Sequence, residues 1–561
     1  MSLPDDQLKG LLLGAKLVDE VTLAETERFA INSEMTLDRA LVQKAIIAED
    51  KLGSLIAGQY KVPFVSLSKM AIPAEVLNII PERFARKHKI IAFERDMEGV
   101  KVAMANPDHT DLLTNITKKT AGKISVYFAL ASDIQNSLRY YEKDLQKSVD
   151  DLLKQDIWTH SSNLEDPPVA KIVDTMIDTA YQERASDIHI EPQETTTLVR
   201  FRIDGILRDV ISAPKYLHDR IITRIKVLSG LRTDEHLSAQ DGKMRMELEE
   251  ENLDIRVSIV PVVQGEKSVL RLLSSRSRQY NFQTLGMNEK DLQKVEAAYS
   301  KSYGMLLSTG PTGSGKTTSI YSILKILNTR EKNITTVEDP VEYRIKGANQ
   351  IQVNVKTNLT FANGLRSILR QDPNIVFVGE IRDNETAGIA VNAALTGHLV
   401  LSTLHTNDAA TAIPRLSDMG VEPFLVASTV NVIIAQRLVR EICAQCKTTV
   451  SLSRAELAKN FPSDLIKSVF GGEKDIEVSK GQGCKSCHQT GYMGRVGLFE
   501  VLEITKDIRR LITQKADSDE IAKAAMAEGM ATMLEDGLIK VKQGTTTIEE
   551  VLRVAKSEFI S

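Results

Sequence analysis

The 561-residue chain contains only four cysteines, one tryptophan and 5% aromatic residues. Four cysteines grouped in two close pairs, in a large intracellular chain, favour a bound metal over disulfides. The shortage of aromatic rings, with a net charge of −4, argues against a basic, ring-lined channel for single-stranded nucleic acid. Long apolar runs are missing too. The stretch Leu425–Ala435 comes nearest, but Ser428, Thr429 and Asn431 interrupt it, well short of the ~20 residues of a membrane helix. The first residues, Met1 to Asp6, carry acids where a secretory signal carries positive charge. There are no tandem repeats or low-complexity tracts. These absences point to a cytosolic, folded protein that can still dock on a membrane partner.

A chain of this length exceeds one hydrophobic core, and roughly 150 residues per domain gives about three to five domains. Residues 1–65 read as short amphipathic helices, with Leu8, Leu11 and Leu12 on one face and Leu37, Ala40 and Leu41 on another. Residues 66–142 read as a small α/β domain, with a strand over Gly99–Ala105 that stops at Asn106 and Pro107. Residues 143–167 are polar and read as a linker whose early part is open to helix. The spacing of Val169, Ile172, Val173, Met176, Ile177 and Ala180 predicts a helix over 169–184. Strand-like stretches at 187–191, 198–203 and 253–260 then suggest a mixed α/β domain over 168–280. From 281 to 561 a further domain is expected, with a cysteine-bearing insert at about 440–495 and a helical tail over 500–561. Its apolar runs at 305–308, 334–337, 375–378 and 399–402 lack polar alternation. That is the pattern of strands buried on both faces, hence a parallel sheet covered by helices.

The run Gly310, Pro311, Thr312, Gly313, Ser314, Gly315, Lys316, Thr317 matches G-x-x-x-x-G-K-[ST], and Thr318 completes the candidate nucleotide-contacting set. Glycines let successive N–H groups turn towards phosphate oxygens, and the helix that follows offers its positive end. Lys316 would reach the β and γ phosphates, and the Thr317 hydroxyl would ligate Mg²⁺. An apolar strand precedes the run and a helical run follows it, as this chemistry requires.

Hydrolysis also needs acids near Mg²⁺ and the attacking water. The run Ile375–Glu380 ends a buried-type strand with a carboxylate, beside the expected phosphate crevice. Gly379 stands where an aspartate is usual, which leaves Glu380 to serve, through a Mg²⁺-bound water. A second strand, 334–337, runs into Glu338, Asp339, Pro340, Val341 and Glu342. Its three carboxylates suit Mg²⁺ or the polarisation of water, although an acidic turn alone is more often plain surface. Arg256 and Arg271 sit inside strand-like apolar runs, and arginine is the residue expected against a transferring phosphoryl group. Cys443-x-x-Cys446 and Cys484-x-x-Cys487 enclose 37 residues, and two such knuckles can bring four thiolates around a structural Zn²⁺ with no open position for catalysis. His488 adjoins Cys487 but is not needed as a ligand.

Taken in order, the phosphate loop, the 338–342 acids, the segment Gly379–Asp383 and the segment Thr396–Asn407 resemble the ATPase family that drives type II secretion and type IV pilus assembly. The last segment resembles its histidine box. Ala185–Pro192, Arg202–Gly205 and the Gly491–Val501 stretch after the cysteines match as well, so the resemblance spans about 168–556. It implies an α/β multidomain protein. A RecA-like P-loop NTPase core forms the C-terminal part, preceded by a mixed α/β domain and an N-terminal helical and α/β region. It implies ATP and Mg²⁺ as cofactors and roles residue by residue. Glu342 is the water-activating base, with Glu338 as runner-up, and Glu380 supports Mg²⁺ and the γ-phosphate. His398 and His405 sense nucleotide state or link it to a neighbour, and Arg256 and Arg271 point at the nucleotide.

The resemblance further implies a homohexamer at the cytoplasmic face of the inner membrane. Its partners are a platform protein and, through the N-terminal region, a membrane-associated adaptor. Residues 1–65 faintly resemble modules that bind cyclic di-GMP, although in the stretch Met35–Ala45 the last residue stands where glycine is expected. The extended N-terminal region favours pilus extension over type II secretion. Two other classes stay open at this stage: a nucleic-acid translocase on the same fold, and a regulatory binder that does not hydrolyse.

Overall fold

The structure, a computed structural model, describes residues 3–32, 36–44, 46–67, 70, 72–109, 123–138, 141, 145–159, 168–248, 251–274, 282, 284–473 and 475–555. They form two compact units: Met1–Pro73, Lys89–Ile134 and Tyr280–Ser561 make the first, and Ala74–His88 with Gln135–Gln279 make the second. This division runs through the expected 66–142 segment, whose helical residues 74–88 belong to the second unit. Met35 and Ala45 lie outside the described residues.

In the first unit, helices Asp5–Gly14, Glu20–Asn32, Leu37–Gln43 and Glu49–Tyr60 bury Leu8, Leu12, Leu37, Leu41, Leu52 and Ile56 in one small core. Two of these stripes are the faces read from the sequence. Strands β1 (Ile90–Arg95), β2 (Gly99–Met104) and β3 (Lys123–Phe128) follow, with β2 antiparallel to β1 and parallel to β3.

The second unit is an antiparallel sheet backed by helices. Helix Leu145–Thr159 occupies the early part of the expected linker, and residues 160–167 lie outside the described residues. Strands β4 (Asp187–Pro192), β5 (Thr196–Ile203), β6 (Ile206–Pro214), β7 (Gln240–Glu247), β8 (Asn252–Val262) and β9 (Gly265–Leu273) lie in the order β6-β5-β4-β9-β8-β7. Alternation along them sends Val199, Phe201, Ile255, Val257 and Leu270 into the core formed with helices Val169–Gln182 and His218–Leu228. The other face of the sheet is polar.

The larger sheet belongs to the first unit. Its strands are β10 (Gly304–Thr309), β11 (Ile334–Glu338), β12 (Ala348–Gln352), β13 (Ile375–Val378), β14 (Leu399–Leu404) and β15 (Val430–Ile442). After a hairpin of β16 (Lys447–Ser453) and β17 (Asp475–Gly481) comes β18 (Tyr492–Glu503). The order is β12-β11-β13-β14-β10-β15-β18, and every pairing is parallel except β15 with β18. Every residue of β10, β11, β13 and β14 is buried, which is why these four read as unbroken apolar runs. The tail, expected to be helical from residue 500, first completes β18, and its helices begin at Lys506.

Behind β18, Asp536 is 1% and Lys540 5% exposed. The Lys540 amine lies 2.5 Å from the Asp536 carboxylate, which also accepts the Phe499 N–H at 2.9 Å. Removing one member strands the other out of water. Lys540→Met is therefore expected to cost about 3–5 kcal/mol of stability, read as a shift in the urea unfolding midpoint.

Candidate active site

Loops at the carboxyl ends of adjacent parallel strands share one crevice. Thr309 stands opposite Leu404, Val378 opposite Ser402, and Val337 opposite Val378. The phosphate loop, the 338–342 acids, Glu380 and His405 therefore emerge along one edge of the sheet.

Gly310, Gly313 and Gly315 take φ values of 143°, 79° and 93°, conformations that L side chains rarely adopt. A Cβ on Gly310 would also meet the Gln436 carbonyl oxygen at 2.4 Å. Lys316 opens the helix Lys316–Leu327, and its amine donates to the carbonyls of Gly310 at 2.7 Å and Pro311 at 3.0 Å. Burial draws its pKa down, and the Glu380 carboxylate opposes that shift. The Ser314 hydroxyl is buried without a partner among the described residues. A buried amine, an unmet hydroxyl and a helix N-terminus at a glycine turn fit a nucleotide's phosphates. Thr317 and Thr318 follow Lys316 in the first helical turn.

The three acids sit in different surroundings. Glu338 is 2% exposed. It accepts from Thr336 Oγ1 at 2.5 Å, from the Tyr321 hydroxyl, and from Gln350 Nε2 at 3.2 Å. Burial raises its pKa against those three donors. Glu342 is half-buried in the loop after β11. Glu380 lies 2.5 Å from Arg382 and 3.1 Å from His405 Nε2, so it joins the loop lysine, an arginine and the expected histidine. Gly379 also finds its reason here, because a Cβ would lie 3.3 Å from both Glu338 Cα and the Val337 carbonyl oxygen.

His398 is not brought to this edge. Its ring bonds the Ala393 carbonyl at 3.0 Å and its own carbonyl accepts from the Gly304 N–H at 3.1 Å. It thus lies beside the start of β10, the length of β14 away from His405, roughly 20 Å. Arg256 and Arg271 belong to the second unit, where they are direct cross-strand neighbours on the polar face of the sheet.

The four cysteine sulfurs lie within 4.8 Å of one another. Three of the separations are 3.7, 3.8 and 3.9 Å. A tetrahedron with Zn–S bonds of about 2.3 Å has edges of about 3.8 Å, so the set fits zinc. Burial pushes the Cys443 and Cys446 thiols up. At Cys487 burial is outweighed by N–H groups of Cys484 and Gly491, which draw it to about 7.

A family model described as "Type II/IV secretion system protein" matches residues 162–553. The chain belongs to this family. It is an ATP hydrolase. Among its relatives, the type IV pilus assembly ATPase PilB of Myxococcus xanthus is 36% identical across 97% of this chain and 98% of its own. That of Pseudomonas aeruginosa is 38% identical across 98% and 99%. The type II secretion system protein E of P. aeruginosa is 44% identical across 77% of this chain and 83% of its own. The ATPase DotB of Legionella pneumophila shares the fold, with a TM-score of 0.53 at 21% identity over 71% of this chain and 98% of that one. A second model, the MshEN domain, matches residues 60–147, overlapping only the end of the 1–65 segment that faintly resembles modules binding cyclic di-GMP. For a secretion ATPase the residues around Lys316 fit the nucleotide and Mg²⁺ that the family implies.

Sequence reasoning missed the groups that hold this site in shape. Gln436 on β15 is 1% exposed; it donates to the Ser314 carbonyl at 2.7 Å and accepts from the Ser319 hydroxyl at 2.6 Å. Thr309 Oγ1 lies 2.6 Å from Thr406 Oγ1 and accepts the Thr406 N–H at 2.9 Å, tying β10 to the histidine segment. The Gln436 amide in the apolar run of β15 was the available signal, since a buried amide must find partners. Gln436→Leu leaves the Ser314 carbonyl and the Ser319 hydroxyl unmet, at about 1–3 kcal/mol each. It is expected to weaken ATP binding about tenfold in a fluorescent-nucleotide titration. Cys484→Ser is expected to abolish stoichiometric zinc in a metal assay and to lower the melting temperature, whereas a disulfide would give a zinc-free wild type.

Proposed function

We propose that this secretion ATPase is the extension motor of a type IV pilus machine, working as a ring of six copies at the cytoplasmic face of the inner membrane. The observation that carries the choice is coverage. The two pilus assembly ATPases match over 97% and 98% of this chain, the N-terminal region included. The type II secretion protein E of P. aeruginosa matches over 77%, and its 44% identity supports type II secretion as the second reading. No helix among the described residues is long and apolar enough to cross a membrane. In this reading force reaches the membrane through partners: an inner-membrane platform protein and an adaptor held by the N-terminal region. Cyclic di-GMP is the ligand to titrate against that region. In this reading residues 1–142 dock and regulate, while 168–280 and 281–561 are the two halves of the motor, the second carrying a structural zinc knuckle.

At the nucleotide, Lys316 and the loop N–H groups hold the phosphates. Thr317 would ligate a Mg²⁺ ion, which when bound would supply compensation for their charge. Glu342 takes the proton of the attacking water, and the bond from the γ-phosphorus to the β–γ bridging oxygen breaks as the water oxygen bonds. Glu338 suits a supporting role, because three donors already engage it. Glu380 would support Mg²⁺ and the γ-phosphate and, through its 3.1 Å contact, passes their state to His405. Arg256 and Arg271 supply positive charge to the transferring group.

Steady-state ATP turnover tests this assignment. Glu342→Gln is expected to bind ATP normally and to lose at least about 100-fold in kcat, while Lys316→Ala fails to bind. A Glu342→Gln variant that turns over at the wild-type rate moves the base to Glu338.

A further inference from the structure

The polar face of the six-stranded sheet carries a row of charged residues. Register aligns Lys243 on β7 with Arg256 on β8, Arg271 on β9, Asp187 on β4 and Arg202 on β5. Four cations thus share a row with one carboxylate. Arg245 pairs with Asp254 at 2.7 Å, and Arg200 and Lys267 pair with Glu191 at 2.7 and 2.8 Å.

Asp187 is the hinge of the row. Its side chain is 7% exposed. One carboxylate oxygen takes Arg271 Nε at 3.1 Å; the other takes Arg202 Nε at 3.2 Å and the Ser186 hydroxyl at 2.9 Å. Arg271 is 60% exposed and engages Asp187 through Nε alone. Both of its Nη groups stay out of that contact. A guanidinium pinned by Nε has lost its swing, and its terminal fork is set for an incoming phosphate. Side-chain freedom that would otherwise be lost when the arginine meets charge is already removed.

We propose that Asp187 is the positioning residue for the arginines of this ATPase, acting on turnover through Arg271. The inference rests on the assignment of Arg271 to the transferring phosphoryl group. Asp187 itself touches no substrate.

A double-mutant cycle on the full-length chain tests it, with kcat, ATP affinity and melting temperature measured for each variant. Asp187→Asn is expected to lower kcat about tenfold with ATP affinity and melting temperature near wild type. Arg271→Ala is expected to lower it further, and the double variant to equal Arg271→Ala, as groups acting as one unit do. Asp254→Asn, which breaks a like pair on the same face, serves as the unaffected control. If Asp187→Asn melts early, Asp187→Glu, which keeps the charge on a longer arm, takes its place in the cycle. Losses that multiply in the double variant overturn the proposal, as does wild-type turnover by Asp187→Asn beside an impaired Arg271→Ala. Both of those results leave the role of Arg271 standing. Wild-type turnover by Arg271→Ala overturns the arginine assignment and this inference together.

Discussion

An amine held almost out of water is the constraint on which the rest of the site depends. Lys316 is 8% exposed, and a cation there needs compensation from fixed groups. Two loop carbonyls give it directly and Glu380 gives it through charge. The loop runs through glycine conformations where those carbonyls turn inward, and β13 packs against β11 so closely that a Cβ at 379 would press on Glu338 Cα and the Val337 carbonyl oxygen at 3.3 Å. Gln436 then fixes the loop from behind, because a buried amide in β15 has to be satisfied and the Ser314 carbonyl satisfies it.

The same strand links the cradle to the cysteines. β15 carries Gln436 near its middle and ends at Ile442, one residue before Cys443. Its antiparallel partner β18 starts just after the second cysteine pair. A metal that fixes the four sulfurs would clamp the far end of the pair whose middle supports the phosphate loop. This gives the knuckle a mechanical meaning although it has no open coordination position for chemistry. Arg440, also on β15, packs over the Tyr492 ring at 4.1 Å and pairs with Glu550 at 2.7 Å, so the C-terminal helices brace the same arm.

Much of this was legible in the residues. The four central strands announced themselves because strands buried on both faces cannot alternate. The loop announced itself because glycine and lysine at fixed spacing have few other uses. What stayed hidden depends on register. That His398 and His405 lie at opposite ends of β14 follows from the strand's six residues, a length no motif states. That Asp187, Arg202, Arg256 and Arg271 form one row follows from pairings between strands up to 84 residues apart. The support from Gln436 to Ser314 crosses 122 residues, and only the sheet order brings them together.

The most direct measurement of the account is hydrogen exchange on the full-length chain with and without Mg²⁺ and a non-hydrolysable ATP analogue. A site preformed at one edge of a buried parallel sheet predicts added protection concentrated in 309–319, 336–342 and 379–382, with the central strands already protected in its absence. Protection that leaves those three segments unchanged, or that appears only elsewhere in the chain, would contradict it.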